Sequence, residues 1–318
     1  MEIRITWYTD DLRSQVIDLF AQEYGVDHSA FGKLFERFYF HPFQKNKCLL
    51  VVAMDGKTVA GFQSFFYWPY FLDGRQYNSF QSGNSLVNPN YRGKGVFNRM
   101  LAFVDQENKT ADIDFLMGFP VEASKKNFLK DKWNNILDLR WFVRMCNPLG
   151  FLGLRPGKQF ESGCRYFGKQ TLFNDVLTLS VEKEFTGWRH EYLSGTYCSF
   201  HFKEGEDEII FHLKPNKRKK ILNELVIGNI LFSTPAAKEK LGRALSKLNA
   251  AARKTFAFHF ISIAINELSA IDLRSVLLSH GFKRTEHKIY FIVKNFKAGN
   301  LVLDPKHWLL YRSDIDTW

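Results

Sequence analysis

The run Asn84-Ser-Leu-Val-Asn-Pro-Asn-Tyr-Arg-Gly-Lys-Gly-Val-Phe-Asn-Arg-Met-Leu101 decides how the rest of the chain is read. It divides into a strand ending at Val87, a turn over Asn88, Pro89 and Asn90, a basic loop spaced by glycine, and a helix. Val96, Phe97, Met100, Leu101 and Val104 fall on one face at helical spacing, which predicts that helix. A loop of Arg92, Gly93, Lys94 and Gly95 opening a helix suits a phosphate. The glycines let the main chain come close, the first helical N–H groups have no partner within the helix, and the helix dipole favours an anion there. Arg92 and Lys94 add charge-assisted contacts. Two glycines two apart before a helix also occur in plain tight turns, so the loop alone does not settle a ligand.

Upstream, Met1–Tyr8 alternates like a short strand. Two helices follow, the first carrying Leu12, Val16, Phe20 and Tyr24 on one face and ending at Gly25, the second capped by Ser29. Cys48–Met54 and Thr58–Phe66 form a hairpin through Asp55-Gly56, and Asp73-Gly74 turns the chain into a strand from Arg75 to Val87. Downstream of the loop helix come a buried strand over Asp114–Phe119, a short helix from Pro120 to about Asp131, and a strand over Asn135–Cys146.

The loop with Val87, Pro89, Tyr91, Arg92 and Gly95 resembles the acyl-CoA loop of the GNAT superfamily of N-acyltransferases, Arg/Gln-x-x-Gly-x-Gly/Ala. Phe97 stands where that pattern has Gly or Ala. The element order of residues 1–147 also matches. The resemblance implies that Arg92, Gly93, Lys94, Gly95, Val96 and Phe97 hold the CoA phosphates, with a main-chain N–H of Leu86 or Val87 facing the thioester oxygen. It implies acetyl-CoA as co-substrate, with pantetheine in a gap between the strands on either side of the loop helix.

From its hairpin onward the second half repeats the first. Tyr197–Lys203 and Glu208–Lys214 pair, Lys214–Lys220 is read as a turn with five basic residues in seven, and a strand runs from Ile221 to about Phe232. Thr234-Pro235 opens a helix, Phe256–Ile265 is a buried strand, Ala270–His280 a helix and Lys288–Phe296 a last strand. The phosphate loop is missing, since Ile227–Ser233 holds one glycine and no Arg-x-x-Gly. The fold class expected is α/β (α+β): two tandem GNAT-like domains, each a mixed, mostly antiparallel sheet flanked by helices. Residues 1–147 would be the CoA-binding domain, 148–180 a connector, 181–298 the domain without the loop and 299–318 a tail.

Acyl transfer to an amine needs a base for the ammonium and donors for the thioester oxygen. No Asp or Glu occurs from Arg75 to Tyr91, where many GNAT enzymes carry the base. Phe128 stands in place of the family's tyrosine acid, and Lys132-Trp133 replaces its Gly-Phe. A thiol of pKa about 8.5 leaves with little help, whereas an amine of pKa about 10.4 needs deprotonation, so the base matters more. Glu122 at a helix start and the C-terminal carboxylate of Trp318, in the acidic tail from Asp314, are the catalytic candidates. The plainer readings are a helix-dipole charge and a docked structural tail. Tyr67, Trp68, Tyr70 and Gln81 are candidates to contact the acceptor, core packing being the plainer reading for the aromatics.

Composition sets the outer limits. With 318 residues and 45% apolar content the chain is long enough for two cores, and its formal net charge of +11 favours anionic partners. The four cysteines (48, 146, 164 and 198) show no metal spacing, so no metal is expected. No membrane-length apolar stretch or leader pattern is seen, which points to a cytoplasmic protein. The expected function is acetyl-CoA-dependent N-acetylation of a small-molecule or amino-sugar amine by direct attack in a ternary complex. A non-catalytic CoA-binding scaffold and an aminoacyl transferase of the peptidoglycan-bridge type are the alternatives. Nucleic acid is not expected as a partner, and the sequence is silent on oligomeric state.

Overall fold

The computed structural model describes residues 2–148, 150, 160–171, 173–192 and 196–317. The first half runs β1 (Ile3–Trp7), α1 (Arg13–Tyr24), α2 (His28–Tyr39), β2 (Leu49–Asp55), β3 (Thr58–Tyr67), β4 (Tyr70–Leu72), β5 (Arg75–Tyr77), β6 (Ser79–Val87), α3 (Val96–Ala111), β7 (Phe115–Gly118), α4 (Glu122–Lys130) and β8 (Asn134–Met145). Then come β9 (Glu161–Ser162), β10 (Thr178–Leu179), α5 (Lys183–Tyr192), β11 (Cys198–Glu204), β12 (Asp207–Arg218), β13 (Leu222–Phe232), α6 (Leu241–Lys254), β14 (Phe260–Ile265), α7 (Leu273–Ser279) and β15 (Lys283–Asn295).

Twelve strands form one sheet in the order β1-β2-β3-β6-β7-β15-β8-β14-β13-β12-β11-β9. Most neighbours are antiparallel, while β6–β7 and β13–β14 are parallel. The last strands of the two halves are exchanged: β15 lies against β7, and β8 sits between β15 and β14. Lys294 of β15 fastens this junction. Its ammonium is buried and reaches Asp131 Oδ2 at 2.9 Å and the Asp105 carboxylate, joining β15 to α3 and α4.

The helices form because their apolar positions repeat at helical spacing and bury against the sheet. Val16, Ile17 and Phe20 of α1 and Phe35 and Tyr39 of α2 cover one face of the first half, around Phe62 and Phe66. Val96, Met100, Leu101 and Val104 of α3 cover the other, with Phe65 and Phe80. In the second half Ala244, Leu245 and Leu248 of α6 and Leu273 and Leu277 of α7 belong to one core with Ile227 and Ile263.

Several local expectations change. The cap of α2 is Asp27, whose carboxylate accepts from the Ala30 N–H at 2.8 Å, and not Ser29. The strand expected over Arg75–Val87 is broken at Asn78, where the Asp114 carboxylate takes the main-chain N–H at 2.8 Å. The hairpin β4–β5 thus leaves the main sheet and pairs with β10. Thr234-Pro235 opens a 3-10 turn that precedes α6. The basic run from Lys214 is strand as far as Arg218, because Leu222–Val226 of β13 pairs with it rung by rung.

Candidate active site

At the end of β6, Asn88 Oδ1 accepts from the Asn90 N–H at 3.0 Å and starts a 3-10 turn over Pro89–Tyr91. Gly93 (φ 75°) and Gly95 (φ 72°) are both left-handed, a conformation that penalises a side chain, and a Cβ on either would meet nothing within 4 Å. α3 begins at once. The Arg99 N–H is bonded to Gly95 O, so the amides of Val96, Phe97 and Asn98 have no acceptor within the helix. Beside them lies a cavity of about 470 Å³ lined by Val87, Tyr91, Arg92, Gly93, Gly95, Val96, Phe97, Asn98, Asn127 and Lys130.

The loop's basic side chains are already engaged. Arg92 donates Nε to Val87 O at 3.0 Å and Nη2 to Glu23 Oε1 at 2.6 Å, which anchors the loop to the end of α1. Lys94 Nζ reaches Asn90 O at 2.8 Å and lies over the Tyr91 ring. Lys130 and Asn127 enter the cavity from α4, which Asn98 Nδ2 ties to α3 through Asn127 O at 2.8 Å. Sequence reasoning missed both, because the signal was sought only in the loop.

Phe97 fits by packing sideways. Its ring meets Phe128 edge-on at 5.2 Å, and Phe128 in turn meets Trp133 at 4.9 Å. The two departures from the family pattern, Phe97 and Phe128, are therefore one packed pair, and Phe128 is buried at 4% exposure.

β6 and β7 share only the rungs from Ser79–Phe115 to Gln81–Met117, after which β6 runs on to Val87 paired with β3 but not with β7. The two strands part as a V whose inner rim is polar. The register of β3 and β6 shifts between Gln63 and Phe65, a bulge that re-aims side chains. Gln63 Nε2 donates to Ser82 Oγ at 3.1 Å and its amide oxygen accepts from Ser85. On the α2 side, Asn84 Nδ2 donates to the Tyr39 hydroxyl at 2.7 Å, and that hydroxyl donates to Ser64 Oγ at 3.0 Å. Leu86 is buried and Val87 half-buried on the same strand.

Of the acceptor-contact candidates, Trp68 and Tyr70 have no exposed surface. Trp68 lies against Phe185 and Trp188 of α5 with the Arg189 guanidinium 4.8 Å from its ring, and the Tyr70 hydroxyl donates to Asp314 Oδ1 at 2.8 Å. Tyr67 is half-buried, its hydroxyl accepting from Gln76 Nε2 at 2.7 Å. Gln81 is buried on β6, and its side-chain oxygen accepts no hydrogen bond among the described residues.

Glu122 is exposed at the start of α4, where it accepts from the Tyr290 hydroxyl of β15. Trp318 lies outside the described residues, but the tail before it folds back over the first half. Arg189 of α5 donates to Ser313 O, and Asp314 is buried, taking the Tyr311 N–H at 2.7 Å as well as Tyr70. Burial pushes the Asp314 carboxyl up to about 6, against those hydrogen bonds. Burial also pushes Asp316 up to about 6, while Arg312 and Arg189 pull it down. Asp316 lies within electrostatic reach of the Tyr39 hydroxyl. Helix α5, which brings Arg189, was not foreseen from the sequence.

The sequence profile of the acetyltransferase (GNAT) domain family matches residues 4–126. No curated protein matches the chain. Among solved structures, a GCN5-related N-acetyltransferase from Anabaena variabilis aligns at 12% identity over 92% of this chain and 73% of its own, with TM-score 0.63. A GCN5-related N-acetyltransferase from Kribbella flavida aligns at 11% identity over 93% of this chain and 72% of its own, with TM-score 0.57. At such identities the likeness speaks for the fold.

Proposed function

We propose, for a chain whose residues 4–126 match the GNAT acetyltransferase domain, that acetyl passes from acetyl-CoA directly to the amine of a small molecule or amino sugar. The observation that carries this reading is the pair of left-handed glycines with open space above them, beside unbonded helix amides and a cavity of about 470 Å³. Residues at this loop fit a diphosphate: the amides of Val96, Phe97 and Asn98 point to it, and Arg92, Lys94 and Lys130 neutralise it. The thioester supplies an acyl carbon with a leaving group that departs readily near neutral pH. The parting of β6 from β7 leaves a main-chain N–H of Leu86 or Val87 to steady charge on the carbonyl oxygen.

The amine must lose a proton before it attacks. In this reading Asp316 takes it, because a carboxylate held near pKa 6 is matched to that task at neutral pH. The Trp318 carboxylate is an alternative two residues on. Glu122 serves as the charge at the α4 N-terminus, held by Tyr290. Tyr67 and Gln81 border the acceptor, while Trp68 and Tyr70 act by holding the tail in place. Residues 1–147 then carry the CoA, 181–298 are the second GNAT-like unit, and 299–318 close the acceptor side.

Transfer of label from acetyl-CoA to a panel of amino sugars, polyamines and peptides, beside calorimetry with CoA, tests this. CoA binding with no labelled product on any amine would make the chain a scaffold. Binding of charged tRNA without CoA would make it a bridge-type aminoacyl transferase.

A further inference from the structure

One end of the second half-sheet is both basic and apolar. Phe260, at the start of β14, is level with Met145 at the end of β8 and with Glu224 of β13. On the next ladder, Arg218 at the end of β12 pairs with Leu222. Ile221, Met145 and the residues just before Phe260 and just after Arg218 therefore lie at the same rim. Four strands at about 4.8 Å spacing make that rim about 15 Å wide.

Three large apolar side chains project there: Ile221 is 73% exposed, Met145 67% and Phe256 41%. Around them stand Lys217, Lys219, Lys220, Arg253 and Lys254, none of them ion-paired among the described residues. Arg253 and Arg144 both act on the Cys146 thiol, which places them at the end of β8 beside Met145. Glu224, the acid of this row, is buried and turned to Arg218 at 3.9 Å and Asn216 at 3.1 Å. Apolar side chains ringed by unpaired cations are costly for a surface meant only to face water.

We propose that this rim docks on the headgroup layer of an anionic lipid bilayer, with Ile221, Met145 and Phe256 entering the interface and the lysines and arginines meeting lipid phosphates. Charge alone would suit a nucleic acid as well. The apolar side chains decide for lipid: two of the three are aliphatic, and a nucleic acid would be met by aromatic rings that stack on bases. The rim does not include the glycine loop, so docking leaves the CoA cavity free.

Sedimentation of the full chain with vesicles of phosphatidylcholine, with and without about one-third phosphatidylserine, tests this. The anionic vesicles are expected to bind at least about tenfold more tightly, with loss at high salt. Lys219→Asn with Lys220→Asn removes two charges yet tolerates the left-handed backbone at both positions, and is expected to weaken binding about tenfold or more. Ile221→Ser with Met145→Ser should weaken it by a similar factor at unchanged charge. Should the lysine pair disturb the hairpin, seen as a fall in Tm, Arg253→Gln with Lys254→Gln on α6 carries the same test. Equal binding to both vesicle types overturns the proposal. So does an RNA duplex that binds more tightly than the vesicles and is indifferent to the Ile221 and Met145 changes.

Discussion

Beyond Gln81 the strands β6 and β7 part beside a cavity of about 470 Å³; beyond Ile227 the equivalent strands β13 and β14 part around the C-terminal tail. In the second V, Tyr311 bridges to Ile265 and Asn266 donates to Leu310 O, so main chain from the tail occupies the opening. The turns into the two helices differ in the same sense. Gly93 and Gly95 leave the first amides of α3 bare. In the second half Pro235 has no N–H to offer, and Thr234 Oγ1 already takes the Ala237 N–H at 3.2 Å. One topology thus leaves helix donors open beside a cavity or fills the joint, depending on whether the donors after the strand are spent inside the chain.

The comparison is broken most severely by removing the tail carboxylate proposed above as the base. Asp316→Asn is expected to lower kcat about 10²–10⁴-fold with little change in the KM for acetyl-CoA, and to remove the acid limb of the kcat/KM profile near pH 6. A variant that keeps its rate and its limb would move the base elsewhere, to Glu122 or Trp318. Emptying the second V comes next. Tyr311→Ala should cost about 3–5 kcal/mol in denaturant unfolding, since a fully buried ring is lost from a packed joint. A cost below 1 kcal/mol would mean that the tail does not fill it.

Gly95→Val sharpens the contrast from the other side. A β-branched residue at φ 72° carries about 1–3 kcal/mol of strain and a side chain where the phosphate would lie, so CoA affinity by calorimetry is expected to fall about 30–100-fold. Pro235→Ala, at the matching turn, should leave that affinity unchanged.

The tail also has a pH signature. Asp314 is raised from 3.8 to about 6 in the folded chain, so its contribution is full below about pH 4 and is lost as pH rises through 6. The stability of the native chain relative to Asp314→Asn should fall by about 2–3 kcal/mol between pH 4 and 7, measured by chemical denaturation. A difference that is flat or grows with pH contradicts the burial. Phe128→Tyr, the smallest change, should raise kcat less than threefold despite restoring the family's hydroxyl, because that position lies under Phe97 and Trp133.

What the sequence revealed follows from where the information resides. The glycine loop was legible because left-handed backbone and a helix start each leave a local signature in residue type. The acidic tail was visible as composition, but the burial that lifts Asp314 and Asp316 comes only when the tail folds against Tyr70 and α5, which lie far off in the chain. Likewise, Lys214–Arg218 reads as a solvated turn until Leu222–Val226 is placed against it. The break at Asn78 depends on Asp114, and the packing of Phe97 on Phe128 joins two helices. Nothing in the alternation of β8 or β15 states which half each will join, since a strand's period fixes its faces and not its neighbours.

That crossing of final strands sets a timetable for synthesis. Residues through Gly118 leave the ribosome with β7 still lacking its neighbour, and the partner, β15, is made more than 160 residues later. At ordinary elongation rates the interval is about 10–30 s, during which the nascent first half exposes an unpaired strand edge. The half that carries the glycine loop is therefore the first to be translated and among the last to be closed.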